Sequence, residues 1–201
     1  MQRVFILLVS SLMLAGCAGG ISPVTRFYTL EAPPAAAYAP LPVPAGLSIG
    51  LGPIELPDLL NRPQIVSRDD GNRVEIGSFD NWAGSLQDNM ARLMIQQLMV
   101  QLNTTRIATY PWPRYREVDY QIRLDVLRFD GVLGGATALK GLWTLVDGKG
   151  RRELDTGAFA FEDRAESGEY AGLVAALGRM TARLTDQLAH VLADHLAEGR
   201  R

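Results

Sequence analysis

Nine residues, Val118-Asp119-Tyr120-Gln121-Ile122-Arg123-Leu124-Asp125-Val126, alternate strictly between two chemistries, and that period of two is the strongest constraint on the fold. Tyr120, Ile122 and Leu124 line one face of an extended chain, and Gln121, Arg123 and Asp125 the other, the pattern of a half-buried strand. Ala136 to Val146 predicts a second strand, which passes through Asp147-Gly148-Lys149-Gly150 into a third, Arg152 to Phe161. Connections this tight require an antiparallel meander. Upstream, Leu47 to Leu51 reads as a strand ending at Pro53. Gln64–Ser67 and Arg73–Ile76 flank Asp69-Asp70-Gly71-Asn72, a turn signal for a hairpin. Trp82, Leu86, Met90, Leu93, Leu98 and Leu102 recur at helical spacing, so residues 81–102 are expected to be helical, with Asp80 as N-cap and Asn103 at the C-terminal end. A final helix runs from about Tyr170 to Leu196, with Leu173, Leu177, Met180, Leu184, Leu188 and Val191 on one stripe. Two amphipathic helices and a sheet with one apolar face predict an α/β domain of the α+β type. Its architecture would be a two-layer sandwich, a mixed, largely antiparallel sheet with both long helices on one face.

The first seventeen residues set the compartment. Arg3 precedes an uncharged apolar run, Val4 to Leu14, which is shorter than the ~20 residues a membrane-spanning helix needs. The run closes with Leu14-Ala15-Gly16-Cys17, which resembles a bacterial lipobox, and Cys17 is the sole cysteine of the 201 residues. Small Ala15 and Gly16 suit a narrow peptidase site, and the thiol is the nucleophile that thioether formation needs. The expectation is a signal peptide at 1–16 and a Cys17 carrying an S-diacylglycerol and an N-acyl (palmitate-type) chain. Two or three acyl chains hold a protein on a membrane where one does not. Ala18 follows the cysteine in place of the Asp that retains inner-membrane lipoproteins, so the expected site is the outer membrane, facing the periplasm. One cysteine excludes an internal disulfide, and the core must hold the domain together.

Residues 17–45, rich in Pro and Ala, read as the lipidated N-terminus and a tether, and 46–201 as one domain. Within the tether, Arg26-Phe27-Tyr28-Thr29-Leu30 is an island of β-formers suited to a short edge strand. The formal net charge is −2, and loss of Arg3 with the leader makes it one unit more negative. That balance argues against a nucleic-acid partner or a polybasic membrane patch.

Chemistry is hard to find. His190 and His195 are five apart, whereas paired metal ligands on a helix need a spacing of four, and no second cysteine completes a site. There is no Gly-x-Ser-x-Gly elbow. Gly131 to Gly135 has the spacing of neither a dinucleotide fingerprint nor a P-loop and reads as a hairpin connection. Asp119, Asp125, Asp130, Glu153 and Asp155 are expected on the solvated face of their strands and not as a catalytic pair. Met90, Met94 and Met99 are expected in the core. No enzyme activity, cofactor or metal is expected.

Four segments in order carry a family resemblance. They are Arg26–Leu30; Ile49 to Val66, with its Leu-Pro-x-x-Leu-x-Arg-Pro-Gln-Ile-Val core; Trp82-Ala83-Gly84-Ser85-Leu86; and Tyr110-Pro111-Trp112-Pro113. Leu142-Trp143-Thr144-Leu145 adds a central strand. Together they resemble the ABC-type transport auxiliary lipoproteins, the PqiC/YmbA-like group of membrane-integrity transporter subunits. The chain departs from that group at Gly84, where a charged residue is frequent. The resemblance implies a periplasmic accessory subunit of an ABC/MCE-type lipid transport system. Its implied partners are an MCE-domain protein and an inner-membrane transporter component, and a homo-oligomer is one arrangement it allows. Leu56 to Val66 either packs over the sheet edge or forms part of a partner surface, for which Pro57, Arg62 and Trp82 are the candidate residues. The alternative is a stand-alone structural envelope lipoprotein that binds peptidoglycan or other envelope proteins.

Overall fold

The computed structural model describes residues 23–31, 34, 37–69, 71–113, 115–150 and 152–199. Cys17 and the lipobox residues Leu14, Ala15 and Gly16 lie outside the described residues. The order is β1 (Arg26–Tyr28), β2 (Ile49–Glu55), a 3-10 turn (Asp58–Leu60), β3 (Gln64–Arg68), β4 (Val74–Trp82), α1 (Leu86–Gln101), β5 (Ile107–Thr109), β6 (Tyr120–Gly131), β7 (Ala136–Asp147), β8 (Glu153–Arg164) and α2 (Tyr170–Glu198). The fold is mixed α+β, as expected, with the strands divided between two sheets. A five-stranded sheet has the order β5-β2-β6-β7-β8, and a three-stranded sheet the order β1-β4-β3. The meander β6-β7-β8 is antiparallel, whereas β2 runs parallel to both β5 and β6.

Both helices pack on each other and on the five-stranded sheet, α1 against β2 and β5 and α2 against β6, β7 and β8. Leu173, Leu177, Met180, Leu184 and Leu188 of α2 are buried, as are Leu93, Met94 and Leu98 of α1. Polar side chains lace this helix pair: Gln97 Nε2 donates to the Ala182 carbonyl at 2.9 Å and Gln101 Nε2 to Asp186 Oδ1 at 2.6 Å. Met90 and Met94 are core residues, while Met99 is exposed.

Several expectations need correction. The first helix begins at Leu86, capped by Ser85, whose Oγ accepts the Asp88 N–H at 3.0 Å. Asp80 and Trp82 belong to β4, because pairing with β1 on one side and β3 on the other keeps that chain extended. Periodicity alone cannot see that pairing. The C-terminal expectation holds: Asn103 adopts φ +43 just past the last turn, the conformation in which asparagine ends helices. β2 continues through Pro53 to Glu55, accommodated by an irregularity between Leu51 and Ile54 in its pairing with β6. Asp130 is buried, in contrast to the exposed Asp119, Asp125, Glu153 and Asp155. β3 runs beside the end of β6 and brings Arg68 Nε to 2.6 Å from Asp130, with Arg128 Nε at 2.8 Å on the other oxygen.

The described part of the expected tether is docked. β1 is the edge strand foreseen for Arg26–Leu30, Leu30 is 1 % exposed, and Leu41 and Val43 pack against the core. The Leu41 N–H donates to the Gln101 carbonyl at 2.7 Å. Proline and alanine content marks a chain without regular structure, yet each apolar side chain inside it gains by finding the core.

Tyr110-Pro111-Trp112-Pro113 crosses β2. A Cβ at Gly50 would collide with the Trp112 ring, and one at Gly52, where φ is +109, would meet Tyr110 at 2.9 Å. Gly50→Ala is therefore expected to destabilise by about 1–3 kcal/mol through overpacking, and Trp112→Ala should relieve most of that loss in the double variant. Urea melts of the four proteins measure the coupling.

On the far edge, Arg179 of α2 donates through Nε to Asp163 of β8 at 2.9 Å. That hydrogen bond holds the Asp163 carboxyl below the ordinary carboxylate range, although burial opposes it. The unfolded chain therefore takes up this proton first on acidification. The stabilisation is present above the ordinary carboxylate value and is lost as pH falls through the lower folded value. Asp163→Asn should lower the urea midpoint at about pH 7 and leave it nearly unchanged at about pH 2.

Candidate functional site

Leu56, Leu60, Asn61, Arg62, Pro63, Trp82, Gly84, Ser85, Leu86 and Gln87 enclose a cleft of about 340 Å³ between the segment after β2 and the start of α1. Local sequence builds both walls. Pro57 cannot donate a hydrogen bond and presets its own φ, and its carbonyl accepts the Leu60 N–H at 2.8 Å, closing the 3-10 turn. Leu60 enters the core while Leu56 and Leu59 pack against it. Pro63 then offers its carbonyl to the Trp82 N–H at 2.7 Å, tying this segment to the end of β4.

The opposite wall depends on Asn89, which is 1 % exposed. Its Nδ2 donates to the Ser85 carbonyl at 2.9 Å, and its Oδ1 accepts from Arg92 Nη2 at 2.6 Å and the Leu30 N–H at 3.3 Å. One side chain thereby joins the end of β1, the 83–85 turn and α1. Gly84 has φ +100 with open space around it. An L-residue there would be strained, and glycine leaves no side chain over the cleft.

Of the three candidate surface residues, the fold brings Arg62 and Trp82 together in this cleft and leaves Pro57 beside it, supporting the turn. Trp82 is only 4 % exposed, so it forms wall and core and does not project outward. Strand pairing turns it inward, beside Tyr28, its register partner in β1. Arg62 is half-buried, and its Nε is shielded from solvent without a hydrogen-bond partner among the described residues. Apolar walls around an under-used guanidinium suit a ligand that combines apolar groups with a hydrogen-bond acceptor.

Asn89 and Gln87 carry no signal in the sequence, and Ser85 stands out there only within the resembling Trp82–Leu86 segment. Ser85-x-x-Asp88 at the head of an apolar-periodic run is a start signal that could have identified the cap.

Other hollows offer less. A groove of about 630 Å³ beneath Ala37 and Tyr38 has its charges already engaged, Arg179 with Asp163 and Arg183 stacked 4.8 Å over Phe161. Another of about 480 Å³ includes His195, which meets Tyr120 edge-on, and Asp119, which accepts the Ser48 N–H at 2.8 Å. His190 is exposed at the opposite side of its turn, with Nδ1 2.9 Å from the Asp186 carbonyl. Among the described residues no three His, Cys, Asp or Glu side chains gather as a metal set, and no helix is long and apolar enough to cross a membrane.

Two of the four resembling segments thus meet at one cleft, a third is tied to its wall through Leu30 and Asn89, and the fourth braces β2. The profile of the ABC-type transport auxiliary lipoprotein component family matches residues 28–189. The chain belongs to that family. A crystal structure of a Xanthomonas campestris protein of family DUF330 superposes with a TM-score of 0.71 at 15 % identity, covering 88 % of this chain and 99 % of the other. A second crystal structure, of an uncharacterised protein, gives a TM-score of 0.67 at 17 % identity, with 85 % and 99 % covered. At these identities the likeness is one of fold. No curated protein sequence matches the chain.

Ser85→Ala is expected to destabilise the domain by about 1 kcal/mol through loss of the cap. Asn89→Ala, which strands several buried groups, should cost about 1–3 kcal/mol. Thermal denaturation of the purified domain checks both.

Proposed function

We propose that this member of the ABC-type transport auxiliary lipoproteins is anchored in the outer membrane through acylated Cys17, faces the periplasm, and serves a Pqi-like ABC/MCE lipid transport system as a binding subunit. It acts by docking and not by turnover. The observation that carries the reading is the meeting of two of the resembling segments, Leu56–Val66 and Trp82–Leu86, at one cleft with Arg62 in its wall, while Asn89 ties the Leu30 N–H to the start of α1 behind it. A segment of the partner, the MCE-domain protein that bridges the periplasm, would place an apolar side chain against Leu56, Leu60 and Trp82 and an acceptor on Arg62. Loss of such a buried anchor in an interface typically reduces affinity by an order of magnitude or more. Support for envelope integrity would follow from holding the transport assembly at the outer membrane.

The test is affinity purification from detergent-solubilised envelopes with wild type, Arg62→Glu and Cys17→Ala. The expected result is recovery of an MCE-domain protein with the wild type and a fall of about tenfold or more with Arg62→Glu, the variant retaining the wild-type melting temperature. Cys17→Ala should carry no acyl chain by mass spectrometry. A lipidated, folded wild type that captures only cell-wall or unrelated envelope components overturns the transport reading in favour of a structural lipoprotein.

A further inference from the structure

The three-stranded sheet has two unlike faces. Arg26, Tyr28, Asp80 and Trp82 share the inner one, because Arg26 lies opposite Asp80 and Tyr28 opposite Trp82. Phe27 lies opposite Asn81, so Phe27, Asn81 and, two residues earlier, Phe79 are on the outer face. Gln64 is also opposite Asn81, and after an irregularity in β4 that shifts the register, the buried Val66, two residues further on in β3, lies opposite Ile76, which places Ile76 on this side of the sheet. Phe27 is 66 % exposed, Phe79 42 % and Ile76 46 %, and Val24, just before the strand, is 80 % exposed. Large apolar side chains scattered singly would mean little, but three on one face of a small sheet, with a fourth at its entrance, form a patch.

Their orientation is built in. Asp80 Oδ1 accepts from Arg26 Nε and from Tyr28 OH, both at 2.8 Å. These bonds clamp the inner side of β1 and force Phe27 outward.

We infer that this outer face rests on the headgroup layer of the bilayer that holds the Cys17 acyl chains. The inference rests on the reading of Cys17 as the lipidation site. The chain decides the occupant. Ten residue steps separate Cys17 from Phe27, a reach of at most about 36 Å, and seven separate it from Val24, at most about 25 Å. β1 is an edge strand at the start of the docked chain, so this sheet is the part of the domain that the anchor keeps nearest the membrane. Phe27, Phe79 and Ile76 together present roughly 300 Å² of side chain. That is small beside the ~800 Å² that each partner contributes to a standard protein interface. It suffices for a surface already confined to the membrane by acyl chains, where a few inserted apolar groups need only orient the domain. Because Trp82 is on the opposite face of β4, seating the sheet on lipid directs the cleft side toward the periplasm.

The experiment uses the full lipidated protein in vesicles of phosphatidylethanolamine and phosphatidylglycerol. Acylation consumes the only cysteine, so Phe79→Cys or Phe27→Cys supplies a unique thiol for an environment-sensitive fluorophore. Gln96→Cys, on the exposed side of α1, serves as the control. The expected result is blue-shifted emission from positions 79 and 27, quenched by lipids with a nitroxide high on the acyl chain, and water-like, unquenched emission from position 96. Unquenched emission at 79 and 27 in acylated protein overturns the proposal while leaving the anchor intact. A blue shift without lipid quenching also overturns it, since protein then covers the face. Mass spectrometry showing Cys17 unacylated removes the anchor reading and this inference with it. Having two labelled face positions guards against one variant failing to fold.

Discussion

A carboxylate taken out of water must be met by donors, and Asp80, 4 % exposed, is met by Arg26 and Tyr28. Removing one partner of such a group leaves an uncompensated charge, which is strongly destabilising. Burial and the hydrogen bond to Asp80 both raise the Tyr28 phenol above its ordinary value, so it remains a donor throughout the neutral range. From this cluster much of the site follows. It holds β1 against β4, turns Phe27 outward and Tyr28 inward, and delivers the chain to Leu30, whose N–H reaches Asn89 on α1. The Tyr28 carbonyl accepts the Ala83 N–H at 2.8 Å, so the same strand positions the turn that opens α1.

The cleft is a by-product of two chain reversals meeting. The segment through Pro57 and Pro63 cannot continue β2 into a helix, and the turn through Gly84 cannot continue β4, so both must double back at the same edge. The hydrogen bond from the Trp82 N–H to the Pro63 carbonyl holds the two reversals together, and that from Asn89 to the Ser85 carbonyl fixes the second. Ser85 and Asn89 nearby are spent on structure. Arg62 brings the one cation of the cleft wall, with a shielded Nε that has no partner among the described residues, which is why a binding role is better supported there than at the hollows around Asp163 or His195.

Sequence patterns revealed elements whose signal is local. The alternation of β6, the turns of the meander and the apolar stripe of α2 were legible because each depends on one burial face and a fixed period. The start of α1 is not legible in the sequence, because Trp82 fits a helical stripe and a paired strand equally well. Asp130 was expected in solvent for a related reason: alternation assigns a face, but only the neighbouring β3 supplies Arg68 and covers it. The Pro/Ala-rich segment looked like a tether because composition reports local stiffness and says nothing of a distant core that accepts Leu41 and Val43.

By itself, the sequence determined the α+β class, the antiparallel meander, the edge strand at Arg26–Leu30 and the family, since periodicity, turn chemistry and a long motif all survive in one dimension. Tertiary structure alone decided that Arg62 and Trp82 share a cleft, that Asn89 joins three segments, and that Phe27, Phe79 and Ile76 lie on one face. Those facts depend on which strands pair and in what register. Pairing is a contest among non-local contacts, and no local run of residues records its outcome.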